Sequence, residues 1–119
     1  MFGNTLTLTI AGVATVMTKI KEQDYSSEYM FRDSTHQLVA KIRHSRTKAT
    51  SDRPSYDRHN FEVVETIFAT DTVPEYQRKF YTVQEQLASD TDVDLADAVC
   101  DWLIASTDAS LVSLLGWES

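Results

Sequence analysis

The chain has 119 residues, 42% of them apolar and 24% charged, with only three Gly and two Pro. This is enough for one folded domain and excludes a disordered, low-complexity or collagen-like chain. The net charge of −7 argues against a nucleic-acid ligand if it is spread evenly, and the lone cysteine, Cys100, excludes an internal disulfide and fits a reducing compartment.

The charge is not spread evenly. All eleven Lys and Arg lie between Lys19 and Lys79, with ten carboxylates up to that point, a balance of +1; from Phe80 onward there are eight carboxylates and no base. Lys41, Arg43, Arg46, Lys48, Arg53 and Arg58, with His36, His44 and His59, fall within residues 36–59 against Asp52 and Asp57 alone. A segregated patch of this kind points to a basic surface on an acidic protein. No apolar run approaches the roughly 18 residues of a bilayer span, and the N-terminal MFGNTLTLTI has no basic region, so a soluble, unexported protein with no membrane partner is expected.

In chain order, TLTLTI alternates apolar and polar, Ala11 and Gly12 follow, and β-branched residues resume over 13–20. Two such runs around a Gly predict a hairpin over 1–20. Residues 21–27 are polar and read as a turn. A short strand over 28–32 places Tyr29 and Phe31 on one face and Met30 on the other, and Asp33, Ser34 and Thr35 are turn residues. The next run, QLVAKIRHS over 37–45, alternates most clearly: Leu38, Ala40 and Ile42 form an apolar face, and Val39, Lys41, Arg43 and Ser45 form a basic one. A polar loop over 46–57 leads to a strand over 59–69, in which Phe61, Val63, Glu65 and Ile67 share one face and Asn60, Glu62, Val64 and Thr66 the other. Residues 70–74 connect it to a last strand over 75–87. Short links make neighbouring strands antiparallel.

The period then changes. Ser89, Asp90, Thr91 and Asp92 offer N-caps, and Val93, Ala96, Val99, Cys100, Leu103 and Ile104 make an apolar stripe at helical spacing. Asp94, Asp97 and Asp101 form a solvated stripe, and Cys100 is expected to be a small core residue. Ser106, Thr107 and Asp108 break the pattern and cap a second short helix, closed by Gly116 and Trp117; Trp102 and Trp117 are read as docking anchors. The expected fold class is α+β in a single domain over 1–119: a leading hairpin (1–20), an antiparallel sheet (21–88) of about five strands, and a C-terminal helix pair (89–117). Two short helices do not cover such a sheet, and its edges stay open. A second copy solves both problems, so an obligate homodimer is expected.

Lys41, Arg43, Arg58, Asn60, Lys79 and Tyr81 can share one sheet surface, with cations for phosphates, an amide for base edges and an aromatic ring for stacking. The competing reading is a solvated outer face, and Glu62 in the middle of that surface favours it. His44 and His59 can meet across paired strands, but no ligand spacing supports a metal. Ser55, Asp57 and His59 could be assembled as a nucleophile, but no frame such as GxSxG surrounds them. No catalytic residue, metal or cofactor is expected, and the chain is read as a non-enzyme.

The order of elements resembles that of the coat proteins of single-stranded RNA bacteriophages, the levivirus-like family. NTLTLTIAGVATVMTKI is similar to the family's leading hairpin, and QLVAKIRHSR to its RNA-facing strand. FEVVETIFATDTVPEY, SDTDVDLADAVCDWLIAS and LVSLLGWES are similar to its last strands and helix pair. The resemblance implies an interlocked homodimer with helices crossing onto the partner, assembled into an icosahedral shell. It implies a sheet that binds and packages genomic single-stranded RNA, in some members gripping one stem-loop and so repressing replicase translation. By strand position the RNA-facing set is Val39, Lys41, Arg43, Ser45, Arg58, Asn60, Glu62, Lys79 and Tyr81. Thr70, Asp71, Thr72, Val73 and Pro74 correspond to the loop between dimers at the symmetry axes. The implied location is the virion, assembled in the bacterial cytoplasm. Glu62 departs from what RNA would favour, and the loop at 70–74 is short. The alternative is a cellular dimeric βα module that binds a small ligand or a protein partner through the same sheet.

Overall fold

The structure is a computed structural model and describes residues 2–119. Among the described residues there are six strands and one helical element: β1 (Thr5–Ile10), β2 (Val13–Gln23), β3 (Ser26–Arg32), β4 (His36–Arg46), β5 (Tyr56–Ile67), β6 (Tyr76–Leu87) and α1 (Asp94–Leu115). The chain divides into two compact units between Leu87 and Ala88. The first is a single antiparallel sheet in sequence order, β1-β2-β3-β4-β5-β6, so the hairpin belongs to the sheet and raises it from about five strands to six.

Turn chemistry explains the meander. Ala11 and Gly12 both have positive φ (50° and 79°), the two-residue turn whose twist suits a hairpin. Asp24 and Tyr25 repeat it (27° and 63°), so the polar stretch read as a turn over 21–27 is mostly strand: β2 runs to Gln23 and β3 begins at Ser26. At the third turn Asp33 Oδ1 accepts from the backbone N–H groups of Thr35 (2.7 Å) and His36 (2.9 Å) and from the Thr35 hydroxyl (2.9 Å). These bonds hold the Asp33 carboxyl at about 2, below its usual 3.8, the Thr35 N–H contributing most.

Register fixes the faces, because residues directly opposite on antiparallel strands point the same way. Leu38, Ala40 and Ile42 of β4 stand opposite Glu65, Val63 and Phe61 of β5, and opposite Phe31, Tyr29 and Ser27 of β3. Met17, Tyr29, Leu38, Ala40 and Ile42 are buried on this core face, with Leu6, Leu8, Phe31, Phe61 and Val63 packed against them. Each fully buried large side chain contributes about 1.5–3 kcal/mol through the area it removes from water. The sheet curls to make this possible. β1 and β5 would lie about 19 Å apart in a flat sheet, yet Leu6 and Leu8 line the same cavity of about 470 Å³ as Ile42 and Phe61. The Tyr29 hydroxyl donates to the Gly3 carbonyl at 2.8 Å and tethers the N-terminal arm. A bulge between Lys19 and Lys21 leaves Ile20 without a cross-strand partner.

β6 is the long outer strand and is exposed almost throughout, with Phe80 at 54% and Tyr81 at 59%. Its free edge presents unpaired backbone groups, the usual template for strand addition.

In the second unit, α1 is one helical element where two were expected. Its backbone nevertheless leaves the helix at Ala105 (ψ 149°) and turns left-handed at Ser106, Thr107 and Asp108 (φ 55°, 57° and 63°), where the sequence pattern breaks. The N-terminus starts later than expected. Val93 is the N-cap without a side-chain bond, while Asp90 Oδ1 accepts from Asp92 N–H (3.0 Å) and Asp92 Oδ1 from Asp94 N–H (2.8 Å). The acids therefore shape the turn that leads into the helix. At the C-terminus Trp117 N–H donates to Leu114 O (3.3 Å) and Glu118 N–H to Ser113 O (3.1 Å), the paired bonds of a Schellman stop. The left-handed residue is Trp117 (φ 65°), not Gly116 (φ −80°). No described residue of α1 is buried, and Cys100, expected in a core, is exposed in the single chain. α1 is long and apolar enough to cross a bilayer by length and composition, contrary to the expectation from apolar runs. That stretch includes the four residues 105–108 whose backbone is not helical.

Candidate nucleic-acid interface

The face opposite the core is built from the alternate residues of the same strands. Val39, Lys41, Arg43 and Ser45 of β4 stand opposite Val64, Glu62, Asn60 and Arg58 of β5; Val64, Glu62, Asn60 and Arg58 stand in turn opposite Lys79, Tyr81, Val83 and Glu85 of β6. All nine residues of the expected RNA-facing set therefore share one face.

The charges of the strands sort by face. The face of Lys41 carries six bases (Lys21, Arg32, Lys41, Arg43, Arg58, Lys79) against three carboxylates (Glu28, Glu62, Glu85). The core face carries three bases (Lys19, Arg46, Arg78) against three carboxylates (Glu22, Asp57, Glu65). The whole excess of +3 lies on the face without the core.

Its cations differ in availability. Arg43 donates through Nε (3.1 Å) and Nη2 (2.7 Å) to Asn60 Oδ1, and through Nη2 to Glu62 Oε2 at 2.6 Å. Lys79 Nζ lies 3.4 Å from Glu62 Oε1 and 5.7 Å from the Tyr81 ring centroid. Glu85 takes Arg58 Nε at 2.9 Å and Arg53 Nη2 at 3.1 Å, drawing a residue of the 47–55 loop onto the sheet. Lys41 makes no hydrogen bond or ion pair to any described residue. Asn60, expected to read base edges, is engaged at both ends of its amide, since Nδ2 also donates to Thr82 O at 3.0 Å. A cavity of about 520 Å³ opens beside it, lined by Ser26, Arg43, Ser45, Arg58 and Val83. Two guanidiniums, two hydroxyls and an apolar floor suit a phosphate next to a flat ring.

The other candidates separate. His44 and His59 do meet, Nδ1 to Nδ1 at 2.9 Å, on the core face. Among the described residues no three His, Cys, Asp or Glu side chains form a group that could hold a metal. Ser55 Oγ donates to Thr47 O (2.7 Å) and Asp57 is held by Arg46, so Ser55, Asp57 and His59 do not form a hydrogen-bonded relay. Thr70–Pro74 are exposed, and Thr70 N–H donates to Val73 O at 2.8 Å, closing a small turn. Sequence reasoning missed Arg53 and Glu85 as members of this surface; the signal was their opposite charge, but only register brings them together.

Residues 3–87 match the family described as phage phiCb5, coat protein. The chain belongs to this family. The match covers 85 residues and ends where the sheet ends, so it is carried by the unit that bears both the core and the basic face. No curated protein matches the chain. As a phage coat protein it has a structural role in the capsid, built by self-assembly of its copies, and its place is the virion. A cellular βα module is not supported by this membership.

Proposed function

We propose that this coat protein packages single-stranded RNA on the face of the sheet opposite the core. The observation that carries the reading is the sorting of charge: the strands' excess of +3 lies entirely on that face, with Lys41 unpaired and Tyr81 exposed at its centre. Cations for phosphates beside an aromatic ring are the pairing that binds single strands. The residues assigned to RNA are Val39, Lys41, Arg43, Ser45, Arg58, Asn60, Glu62, Lys79 and Tyr81. Lys41 and Arg43 meet phosphate, Tyr81 stacks on a base, and Asn60 positions Arg43.

The building block in this reading is an interlocked homodimer: β6 edges pair, and α1 of each copy covers the core face of the other. The exposed β6 and the absence of a buried residue in α1 support it. Dimers close into an icosahedral shell, with 70–74 in contact between dimers, assembled in the host cytoplasm. Where the bound element is a genomic stem-loop, the same face represses replicase translation.

The test is the double variant Lys41→Ala, Arg43→Ala. Particles should form and carry less RNA, read as absorbance at 260 against 280 nm. RNA content unchanged from the parent would remove the assignment of this face.

A further inference from the structure

Glu62 occupies the centre of the basic face. Its two carboxylate oxygens hold two different strands: Oε2 takes Arg43 of β4 at 2.6 Å, and Oε1 takes Lys79 of β6 at 3.4 Å. Its side chain is only 12% exposed, while those of Arg43 and Lys79 are 52% and 53% exposed. The carboxylate is shielded while the cations around it reach solvent, Arg43 being held by Asn60 Oδ1 as well. Lys41, directly across from Glu62, is not held by it. Three residues on, Glu65 does the same for Arg78 at 2.6 Å, but on the core face. One strand thus carries two ion-paired glutamates, and only Glu62 lies where a polyanion would dock.

We propose that Glu62 is an electrostatic gate on this face: it holds Arg43 and Lys79 in the empty protein and must yield both to phosphates before a strand can bind. This rests on the RNA reading above and adds its selectivity. A ligand with one phosphate replaces one ion pair and still faces the carboxylate. A strand that delivers several phosphates replaces both pairs and reaches Lys41 as well, so the gate favours polynucleotides over nucleotides and small anions. The carboxylate stays in place as like charge, which lowers affinity for every strand and leaves the difference to contacts such as Tyr81.

Fluorescence anisotropy of a labelled single-stranded RNA across a salt series tests this with the full chain. Glu62→Gln should bind roughly five- to tenfold tighter at low salt, with the log–log salt slope close to the parent's, since the same cations meet phosphate in both complexes and only the ion pairs to be broken and the residual like charge are removed. It should also gain competition by a mononucleotide that the parent ignores. Glu65→Gln removes the same charge from the other face and should leave the affinity at the parent value. Glu62→Thr, neutral and suited to a strand, repeats the test if Gln disturbs the fold. Equal gains from Glu62→Gln and Glu65→Gln would overturn the gate by showing a net-charge effect. Unchanged or weaker binding by Glu62→Gln, with Lys41→Ala still weakening it, would overturn the gate and leave the RNA face standing. A parent that binds no RNA overturns both.

Discussion

Arg46 and Asp57 face each other in register across β4 and β5, with Nε 2.5 Å from Oδ1 and Nη2 3.0 Å from Oδ2. This two-point contact lies at the end of the sheet where the 47–55 loop departs, so it clamps the strands where they would fray. The Arg46 hydrogen bond is the main reason the Asp57 carboxyl lies below its usual range. A lowered carboxyl stabilises the fold above its usual value and loses that contribution as pH falls through the lowered one. Asp57→Asn should lower Tm by about 2 °C at neutral pH, a small effect because the pair faces solvent. The gap between parent and variant should close as pH drops below the carboxylate range. A gap that persists in acid would mean that packing, not charge, holds this end.

The Asp33 turn makes a second pH prediction. Its carboxyl lies at about 2 against a usual 3.8, so its contribution is complete above 3.8 and fades as pH falls through about 2. Asp33→Ala leaves the Thr35 and His36 N–H groups without their acceptor and should cost about 4 °C in Tm at neutral pH. NMR titration of the parent should find this carboxyl still ionised at pH 3; a midpoint near 4 would contradict the turn geometry.

Thr107 gives a prediction whose sign decides between two backbones. A β-branched residue in the left-handed region is strained, and glycine is not. With φ at 57°, Thr107→Gly should stabilise the protein by about 1 kcal/mol relative to Thr107→Ala. If 105–108 were continuous helix, the same comparison would give about 1 kcal/mol of destabilisation instead. Thermal melts of the two variants read the sign directly.

Tyr81 predicts a loss confined to RNA. Its ring is 59% exposed and makes no part of the core. Tyr81→Ala should weaken single-stranded RNA about tenfold or more, while Tyr81→Phe keeps the affinity, because stacking uses the ring and not the hydroxyl. Equal losses in the two variants would assign the contact to the hydroxyl.

β4 was legible almost to the residue, 37–45 against His36–Arg46, because its alternation is strict and its two faces differ in character. The second turn was legible in place but not in extent, because the residues around Asp24 and Tyr25 are polar on both sides and hydrophobic pattern does not say where β2 ends and β3 begins. The break in the helical pattern at Ser106 was visible as composition, whereas its left-handed backbone was not. For the basic face, sequence supplied the members and their alternation, and even the objection posed by Glu62. It could not supply the partners. That Glu62 holds Arg43 and Lys79, that Asn60 is used up within the sheet, and that Glu85 binds a loop arginine all depend on register and on side-chain reach. The apolar stripe that carries Cys100 says that a helix needs cover, not which chain provides it.

The most direct test is electron microscopy of the purified protein, with absorbance at 260 against 280 nm on the same fraction. The account predicts uniform closed shells rich in RNA. Small particles free of nucleic acid, with no shell under any condition that keeps the sheet folded, would contradict it.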